Sequence, residues 1–411
     1  MRLIDFIMKY YIFRILFLGL LLFGNLQSVR KKQEVKRINS NIKEYVEFLK
    51  TQKLSPVDYV MKLFEEYDIV VLVERDHREL TQYFFITELL ADKRFIDNVG
   101  NILTEVGVSN IRKDIDSLMH TKDLKGKDLK ETVLEIYRNL DYFSIWEKYN
   151  YFYLLEELYK INNRLPDEKK INLIPYDVAF SWDTVTNSAS YEKFINNLYQ
   201  CRDSILGHNI NEKFKQIKSS NSKRKKVLVI LNGGHTVAFR DSALRVKYLM
   251  KNAIGYVSQK HPGKTAVVLI NGTKIYDDPA PAKLLIQNGK WDAAFKSLGN
   301  PNLGFDFNNT VFGNDTFDLF HEVEGNKKYK YQDIYNGFIF FHPLNKHQLV
   351  CGIPGFVNKD FEDEIIRRFQ IESPGKKHTL KGIIAYCNKK RTFKYDHIKQ
   401  IKKEINQWIK K

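Results

Sequence analysis

Two histidines of this chain stand three residues behind a side chain that can take part in proton transfer or ligand binding. His77 follows Glu74 in the run Glu-Arg-Asp-His, and His235 follows Asn232 in the run Asn-Gly-Gly-His. Imidazoles and carboxylates that meet in one cleft can act as general acids and bases, orient a water molecule or bind a metal. The chemistry therefore depends on whether the fold brings these groups together.

Polar side chains end five of the apolar runs that we predict to be strands. They are Glu74, Glu105, Asp177, Asn232 and Asn271. In an open parallel sheet, ligands bind at the carboxyl ends of the strands, so groups from distant parts of the chain converge there. Polar residues also end strands simply because a loop begins there. Carboxylates after the first three strands, with histidines near the first and fourth, favour a functional cleft.

The elements that would position these groups alternate along the chain. Continuously apolar runs, predicted as strands, cover residues 68–74, 99–105, 171–177, 227–232, 265–271 and 337–341. Helical patterns cover residues 41–66, 79–92, 130–137, 142–161, 191–205, 242–259, 361–369 and 397–410, whereas residues 277–336 are predicted to be rich in loops. Continuously apolar strands alternating with helices indicate an α/β fold with a mainly parallel sheet covered on both faces.

The local context of His77 excludes several kinds of site. If Glu74 ends a strand, His77 lies in the turn into the next helix, where the helix dipole favours a neutral imidazole. The spacing is not HExxH, which argues against a zincin-like site. GxGxxG, GxxxxGK[ST] and GxSxG are absent, so dinucleotide, P-loop and ordinary serine-hydrolase sites have no support.

The N-terminus is typical of a secretory signal. Arg2, Lys9 and Arg14 precede an apolar run at residues 15–23, and small or polar residues follow it. The run is shorter than the about 20 residues of a spanning helix, although an uncleaved anchor is an alternative. We therefore predict export to the periplasm or the cell surface. The predicted divisions are a signal or anchor at 1–27, a helical segment at 28–66, an α/β domain at 67–345 and a helical extension at 346–411.

Composition bounds the partners. The 411 residues are 43% hydrophobic, enough for a sizeable core, and carry a net charge of +17. No nucleic-acid motif or arginine–aromatic pattern accompanies that charge, so we predict no nucleic-acid partner. The three cysteines match neither a disulfide framework nor a metal site. We expect a small-molecule substrate, with membrane contact only through the N-terminal segment.

The ordered motifs resemble those of the erythromycin esterase-like proteins, which belong to a wider superfamily with the Tiki peptidases and the ChaN haem-uptake proteins. Residues 71–79, followed by Leu103-Thr104-Glu105, resemble the family's G-E-x-x-H…E signature. Tyr176-Asp177 is similar to a strand ending in G-x-D. Residues 201–210 are similar to R-D-x-x-M-A-x-N-V, and residues 226–235 to a strand ending in H-N-x-H.

This resemblance implies an α/β hydrolase that cleaves an ester or lactone with water activated by a histidine. His77 would be the base, with Glu74 and Glu105 as its partners, and His235 would assist from the opposite wall. Arg202 and Asp203 would support the site structurally. A haem- or metal-binding protein of ChaN type and a metal-dependent peptidase of Tiki type are the alternatives, and the cofactor and metal content stay open.

The chain departs from the family pattern in three places, one of which is the pair Arg75-Asp76, bulkier and more charged than the family's residues there. Val73 stands where a glycine usually precedes the glutamate, and Asn232 stands where the first histidine of H-N-x-H belongs. The loss of one imidazole puts the esterase mechanism or a metal site in question, or transfers that role to Asn232. We predict Asp177, Trp182 and Asn232 as substrate-binding residues. The aromatic-rich helix that includes Trp146 is assigned to core packing rather than to a substrate wall.

Overall fold

The computed structural model describes residues 42–237, 252–274, 283–319 and 329–409. The predicted signal or anchor at residues 1–27 lies outside these residues, as do residues 242–251 of the predicted helix at 242–259. The described residues belong to one compact unit that runs from Ile42 to Lys411. None of the described helices combines the length and the apolar character that a bilayer crossing requires.

A seven-stranded sheet lies at the centre of the described chain. Its strands are β1 (Ile69–Glu74), β2 (Asn101–Val108), β3 (Asn172–Asp177), β4 (Val227–Asn232), β5 (Thr265–Ile270), β6 (Leu303–Asp306) and β7 (Gly337–Phe340). Their order across the sheet is β3-β2-β4-β1-β5-β7-β6, and all neighbours are parallel except the β7–β6 pair. This architecture confirms the predicted α/β fold.

The strands are mainly apolar because both faces of the sheet are covered. On β1, Val70 and Leu72 pack into one hydrophobic core. Ile69, Val71 and Val73 pack into a second core on the opposite face. All five side chains are almost completely buried.

Helices flank the sheet. The early ones are α1 (Lys43–Thr51), α2 (Pro56–Glu66), α3 (Thr81–Ala91), α4 (Lys93–Asn98), α5 (Arg112–His120), α6 (Gly126–Arg138), α7 (Tyr149–Asn162) and α8 (Ser188–Ser219). The later ones are α9 (Ala253–Lys260), α10 (Lys290–Ser297), α11 (Tyr331–Ile334), α12 (Glu362–Glu372), α13 (Leu380–Asn388) and α14 (Ile398–Ile409).

Several of these elements differ from the sequence prediction. The helix predicted at 41–66 is two helices, because Ser55 caps α2 through the backbone N–H of Asp58 and Pro56 begins it. The helix predicted to end at residue 205 continues to residue 219. It does so past Gly207, which packs so closely against α9 that an added Cβ would lie 2.7 Å from Tyr256. The region predicted as loop-rich contains β6, α10 and α11.

The C-terminal residues contact the turn that follows β1. A two-stranded antiparallel sheet pairs β8 (Leu349–Cys351) with β9 (Arg391–Phe393). The backbone N–H of Val350 donates to the carbonyl oxygen of Arg78 at 2.7 Å, and Leu80 donates to Gln348 at 2.7 Å. This contact supports the turn that carries His77. The division into an α/β domain and a C-terminal extension stays a prediction.

Candidate functional site

The carboxyl ends of β1, β2 and β4 bring together four of the side chains that the sequence singled out. Glu74 ends β1, and His77 lies in the turn after it. Glu105 lies in β2, within a register shift between Thr104 and Val108. His235 lies in a single 3₁₀ turn that follows β4. We call Glu74, His77, Glu105 and His235 the strand-end cluster.

Glu74 is held rigidly from two helices. The Tyr83 hydroxyl of α3 donates to Glu74 Oε1 at 2.7 Å, and the Asn150 amide of α7 donates to the same oxygen at 3.3 Å. The other oxygen, Oε2, lies 2.9 Å from His77 Nδ1. Burial disfavours the His77 imidazolium, but the carboxylates of Glu74 and Glu105 outweigh this and raise the pKa of His77 above its ordinary value.

Glu105 is held by three groups on other elements. The backbone N–H of Asn232 donates to Oε2 at 2.8 Å, and Arg202 of α8 donates to Oε1 at 2.9 Å. His235 Nε2 lies 3.3 Å from Oε1. Burial alone would raise the pKa of Glu105, but His235 and Arg202 outweigh it and hold that pKa far below its ordinary value. Glu105 is therefore a carboxylate at neutral pH.

Glu74, His77 and Glu105 form a group that could hold a metal ion. One ligand atom of each residue lies within 4.8 Å of the others. Glu74 Oε2 and His77 Nδ1 are buried and have no aligned hydrogen bond within the described chain, although they lie 2.9 Å apart. Two ligand atoms that face each other without hydrogen-bond alignment could both bind a small cation.

His235 is oriented by Asp203, its neighbour across the site on α8. His235 Nδ1 lies 2.7 Å from Asp203 Oδ1, and the same oxygen accepts from the backbone N–H of Ala253 at 2.9 Å. Burial disfavours the imidazolium, but Asp203 and Glu105 raise the pKa of His235 to about 9. The raised pKa favours the imidazolium of His235, whereas Nη1 of Arg202, a hydrogen-bond donor that lies 3.1 Å from Nε2, opposes it.

Asn232 and Asp177 have structural partners. The Asn232 side chain donates to the carbonyl oxygen of Arg75 at 2.9 Å, which ties β4 to the turn after β1. Its Oδ1 accepts from Gly234 at 3.2 Å. Asp177 Oδ2 accepts from Arg202 at 2.7 Å, and burial raises the pKa of Asp177 although Arg202 opposes this. Their assignment as substrate-binding residues stays a prediction.

Both tryptophans singled out by the sequence are buried, but only Trp146 contacts a residue of the strand-end cluster. Trp182 donates to the carbonyl oxygen of Asp141 at 3.2 Å and stacks on Tyr191 at 5.5 Å, so it lies in the core rather than at the cluster. Trp146, assigned to the core, is buried but also lies edge-on to His77, with the ring centroids 5.1 Å apart. Its indole N–H has no acceptor among the described residues.

Sequence reasoning missed Tyr83 and Asn150, the groups that orient Glu74. Neither position carries a motif, because Tyr83 lies in an apolar helical pattern and Asn150 in an aromatic-rich one. Arg202 and Asp203 were accessible only through the family resemblance. Their contacts with Glu105 and His235 are those of residues that position others.

Comparison with protein-family models found no match, and comparison with curated proteins found none. Among solved structures, the chain is similar to a Bacillus cereus protein at 11% identity and a TM-score of 0.40, over 73% of this chain and 97% of that one. It is also similar to a succinoglycan biosynthesis protein at 10% identity and a TM-score of 0.39, over 69% of this chain and 89% of that one. Likenesses of this size say nothing about the activity of this chain.

Proposed function

We propose that the strand-end cluster is the active site of a hydrolase that activates water to cleave an ester or lactone bond. The observation that carries this proposal is the Glu74–His77 pair, whose facing atoms are buried, 2.9 Å apart and without an aligned hydrogen bond. An imidazole beside a fixed carboxylate suits a general base, because the carboxylate stabilises the cation as it forms. The ester or lactone comes from the resemblance to the erythromycin esterase-like proteins.

The proposed reaction uses the two histidines in opposite senses. His77 takes a proton from water, and the water oxygen bonds to the carbonyl carbon of the substrate. The bond from that carbon to the alcohol oxygen then breaks. The departing oxygen takes a proton from His235, which is protonated because its pKa is raised to about 9. Solvent afterwards returns both histidines to their starting states.

Glu105 serves this reaction as a fixed negative charge. Asn232 and Arg202 hold its two oxygens, so it cannot turn toward solvent. In that position its charge stabilises the imidazolium that forms on His77 during the reaction and the imidazolium of His235. We propose that Glu105 positions the two histidines and stabilises their protonated forms, and that it does not exchange a proton itself.

A divalent metal centre on Glu74, His77 and Glu105 is the second candidate, and the spacing of their ligand atoms favours it. The donor set fits, because imidazole and carboxylate are ligands of zinc and related ions, and Glu74 is oriented from behind by Tyr83 and Asn150. A bound metal would polarise the substrate carbonyl and lower the pKa of a water molecule.

One experiment separates the two candidates. The purified protein is analysed for bound metals, and a panel of esters and lactones is assayed with the wild type, His77→Ala and the control His208→Ala. His208 lies on an exposed part of α8, so its loss should change nothing. We expect ester turnover that His77→Ala abolishes and that a chelator leaves intact.

Other outcomes redirect the proposal. Stoichiometric metal in the wild type that is lost from His77→Ala, with turnover that stops on chelation, would favour the metal centre. Turnover that survives His77→Ala, or a folded wild type that neither cleaves any ester nor binds metal, would contradict the assignment of this cluster as a hydrolytic site.

A further inference from the structure

A cavity of about 280 Å³ lies beside the strand-end cluster and shares Glu74 with it; Asn232, whose backbone N–H donates to Glu105, also lines the cavity. The cluster spans the ends of β2, β4 and β1, whereas the cavity lies at the ends of β4, β1 and β5. The two therefore occupy neighbouring stretches of the same sheet edge. A ligand that fills the cavity has one end at Glu74.

Most of the cavity wall is apolar. The apolar lining residues are Val73, Leu269, Ile270, Ile286 and Leu319. These side chains are themselves buried in the cores of the protein. They offer a ligand hydrocarbon contact on several sides, which is the ordinary composition of a small-molecule site.

The charged side chains of the wall are balanced within the protein. The pairs are Arg75 with Glu79 at 2.6 Å, Lys274 with Asp318 at 2.8 Å, and Asp76 with Arg78 at 2.8 Å. The fourth charged residue, Glu74, faces His77. A charged ligand would therefore find no unpaired opposite charge in the cavity. The free-energy cost of removing its charge from water would not be offset.

Two polar atoms of the wall residues, Glu74 Oε2 and Arg75 Nε, are buried without an aligned hydrogen bond. Arg75 is buried, and its Nε has no hydrogen-bond partner within the described chain, although its other nitrogens contact Glu79, Asn271 and His347. Gly272 lies against it, since a Cβ at that position would be 3.1 Å from Arg75 Cδ. Glu74 Oε2 and Arg75 Nε have almost no accessible surface, so neither offers a polar contact to a ligand in the cavity.

We propose that this cavity binds one half of the substrate, and that this half is compact, uncharged and largely apolar. The volume is near the lower end of the about 300–1,000 Å³ of small-molecule sites, which favours a short acyl group over a large macrocycle. The identification of this ligand as part of the substrate rests on the proposed function. The binding of such a ligand to the cavity does not depend on that function.

The test measures binding without turnover. Straight-chain 2-alkanones of four to ten carbons are uncharged and cannot be hydrolysed, and carboxylates of equal length serve as charged counterparts. Affinities are measured by ligand-observed NMR titration of the full-length protein. We expect affinity to rise with chain length to an optimum and then fall, and carboxylates to bind roughly tenfold more weakly than ketones.

Cavity-filling variants locate the binding site. Leu319→Phe and Ile286→Phe, which enlarge two separate wall residues, should move the optimum to shorter chains. Leu298→Phe is the matched control, because Leu298 is half-buried and does not line the cavity. Thermal unfolding confirms that each variant is folded.

These binding measurements test the cavity independently of whether the protein hydrolyses esters. A wild type that binds no ketone saturably, that binds carboxylates as tightly, or whose chain-length optimum stays the same in both filling variants would overturn it. Ketone binding in a protein that cleaves no ester would support the cavity and count only against the proposed reaction.

Discussion

The turn after β1 separates two buried polar clusters that are built from similar residues. On one side lies the strand-end cluster. On the other lies what we call the arginine cluster, which consists of Arg75, Glu79, Asn271 and His347. In the arginine cluster Arg75 donates to Glu79 at 2.6 Å and contacts the backbone carbonyl oxygen of Asn271, so its charge is matched. In the strand-end cluster Glu74 and His77 face each other without an aligned hydrogen bond.

The histidines of the two clusters show what this difference does. Burial and the nearby Arg75 guanidinium lower the pKa of His347 to about 3, so it stays neutral and chemically inert. Burial acts on His77 and His235 too, but the carboxylates around them prevail and raise their pKa values. A buried glutamate and histidine therefore serve structure where charges are matched, and can serve chemistry where carboxylates are in excess.

The largest expected effect is a loss of activity without a loss of stability when Glu74 is replaced. Glu74→Gln keeps an oxygen for the Tyr83 hydroxyl but removes the charge beside His77. We expect kcat/KM for the ester found in the panel to fall about 10³-fold, because the imidazolium loses its stabilising carboxylate. The Tm, followed by circular dichroism, should stay nearly constant. A large decrease in the Tm of Glu74→Gln would contradict the prediction, because it would show that Glu74 is needed for stability as well as for activity.

The second largest expected effect is a loss of stability when Glu79 is replaced. Glu79→Gln leaves the buried Arg75 without a carboxylate and should destabilise the fold by about 3 kcal/mol in urea unfolding. Glu157→Gln is the control, since its ion pair with Lys160 is partly exposed and should be worth less than about 1 kcal/mol. Equal effects of the two substitutions would show that the arginine cluster is not structural.

The smallest effect is a pH dependence. The pKa of His347 is about 3 when folded and about 6.5 when unfolded, so its contribution is complete above pH 6.5 and is lost as the pH falls toward 3. Between pH 7 and pH 5 the loss should be about 2 kcal/mol. Urea unfolding of wild type and His347→Gln at both pH values measures it as a difference. A loss of the same size in the variant would contradict the prediction.

His235 gives the opposite sign in the same titration. Its pKa is raised to about 9 when folded, so its contribution is complete below pH 6.5 and is lost as the pH rises through 9. The same deprotonation removes the proton that the proposed reaction delivers to the departing oxygen. Activity and this part of the stability should therefore decline together on the alkaline side.

The strands and the meeting of the site residues were predictable from the sequence. The longer strands are mainly apolar runs, β1, β3 and β4 end in a polar residue, and parallel pairing sets those residues at one edge. Glu74 and Asn232 are register partners, as that argument requires. The short elements were not predictable, because β6 has four residues and β8 and β9 have three each, too few to show a period.

The groups that orient the site were also beyond the sequence. Tyr83 and Asn150 reach Glu74 only because α3 and α7 pack on the same face of the sheet, and no spacing along the chain encodes that contact. The tryptophans show the same limit. Trp182 follows a strand end and Trp146 precedes an aromatic-rich helix, yet it is Trp146 that touches His77.

The position of β4 has a consequence for how the chain is made. In the sheet β4 lies between β1 and β2, and β1 pairs only with β4 and β5. During synthesis the ribosome releases β1 first, and its partner β4 begins at Val227, more than 150 residues later. Until then an apolar strand has both edges open. The nascent chain is therefore exposed to aggregation until β4 emerges, and the strand-end cluster can form only after that strand is inserted.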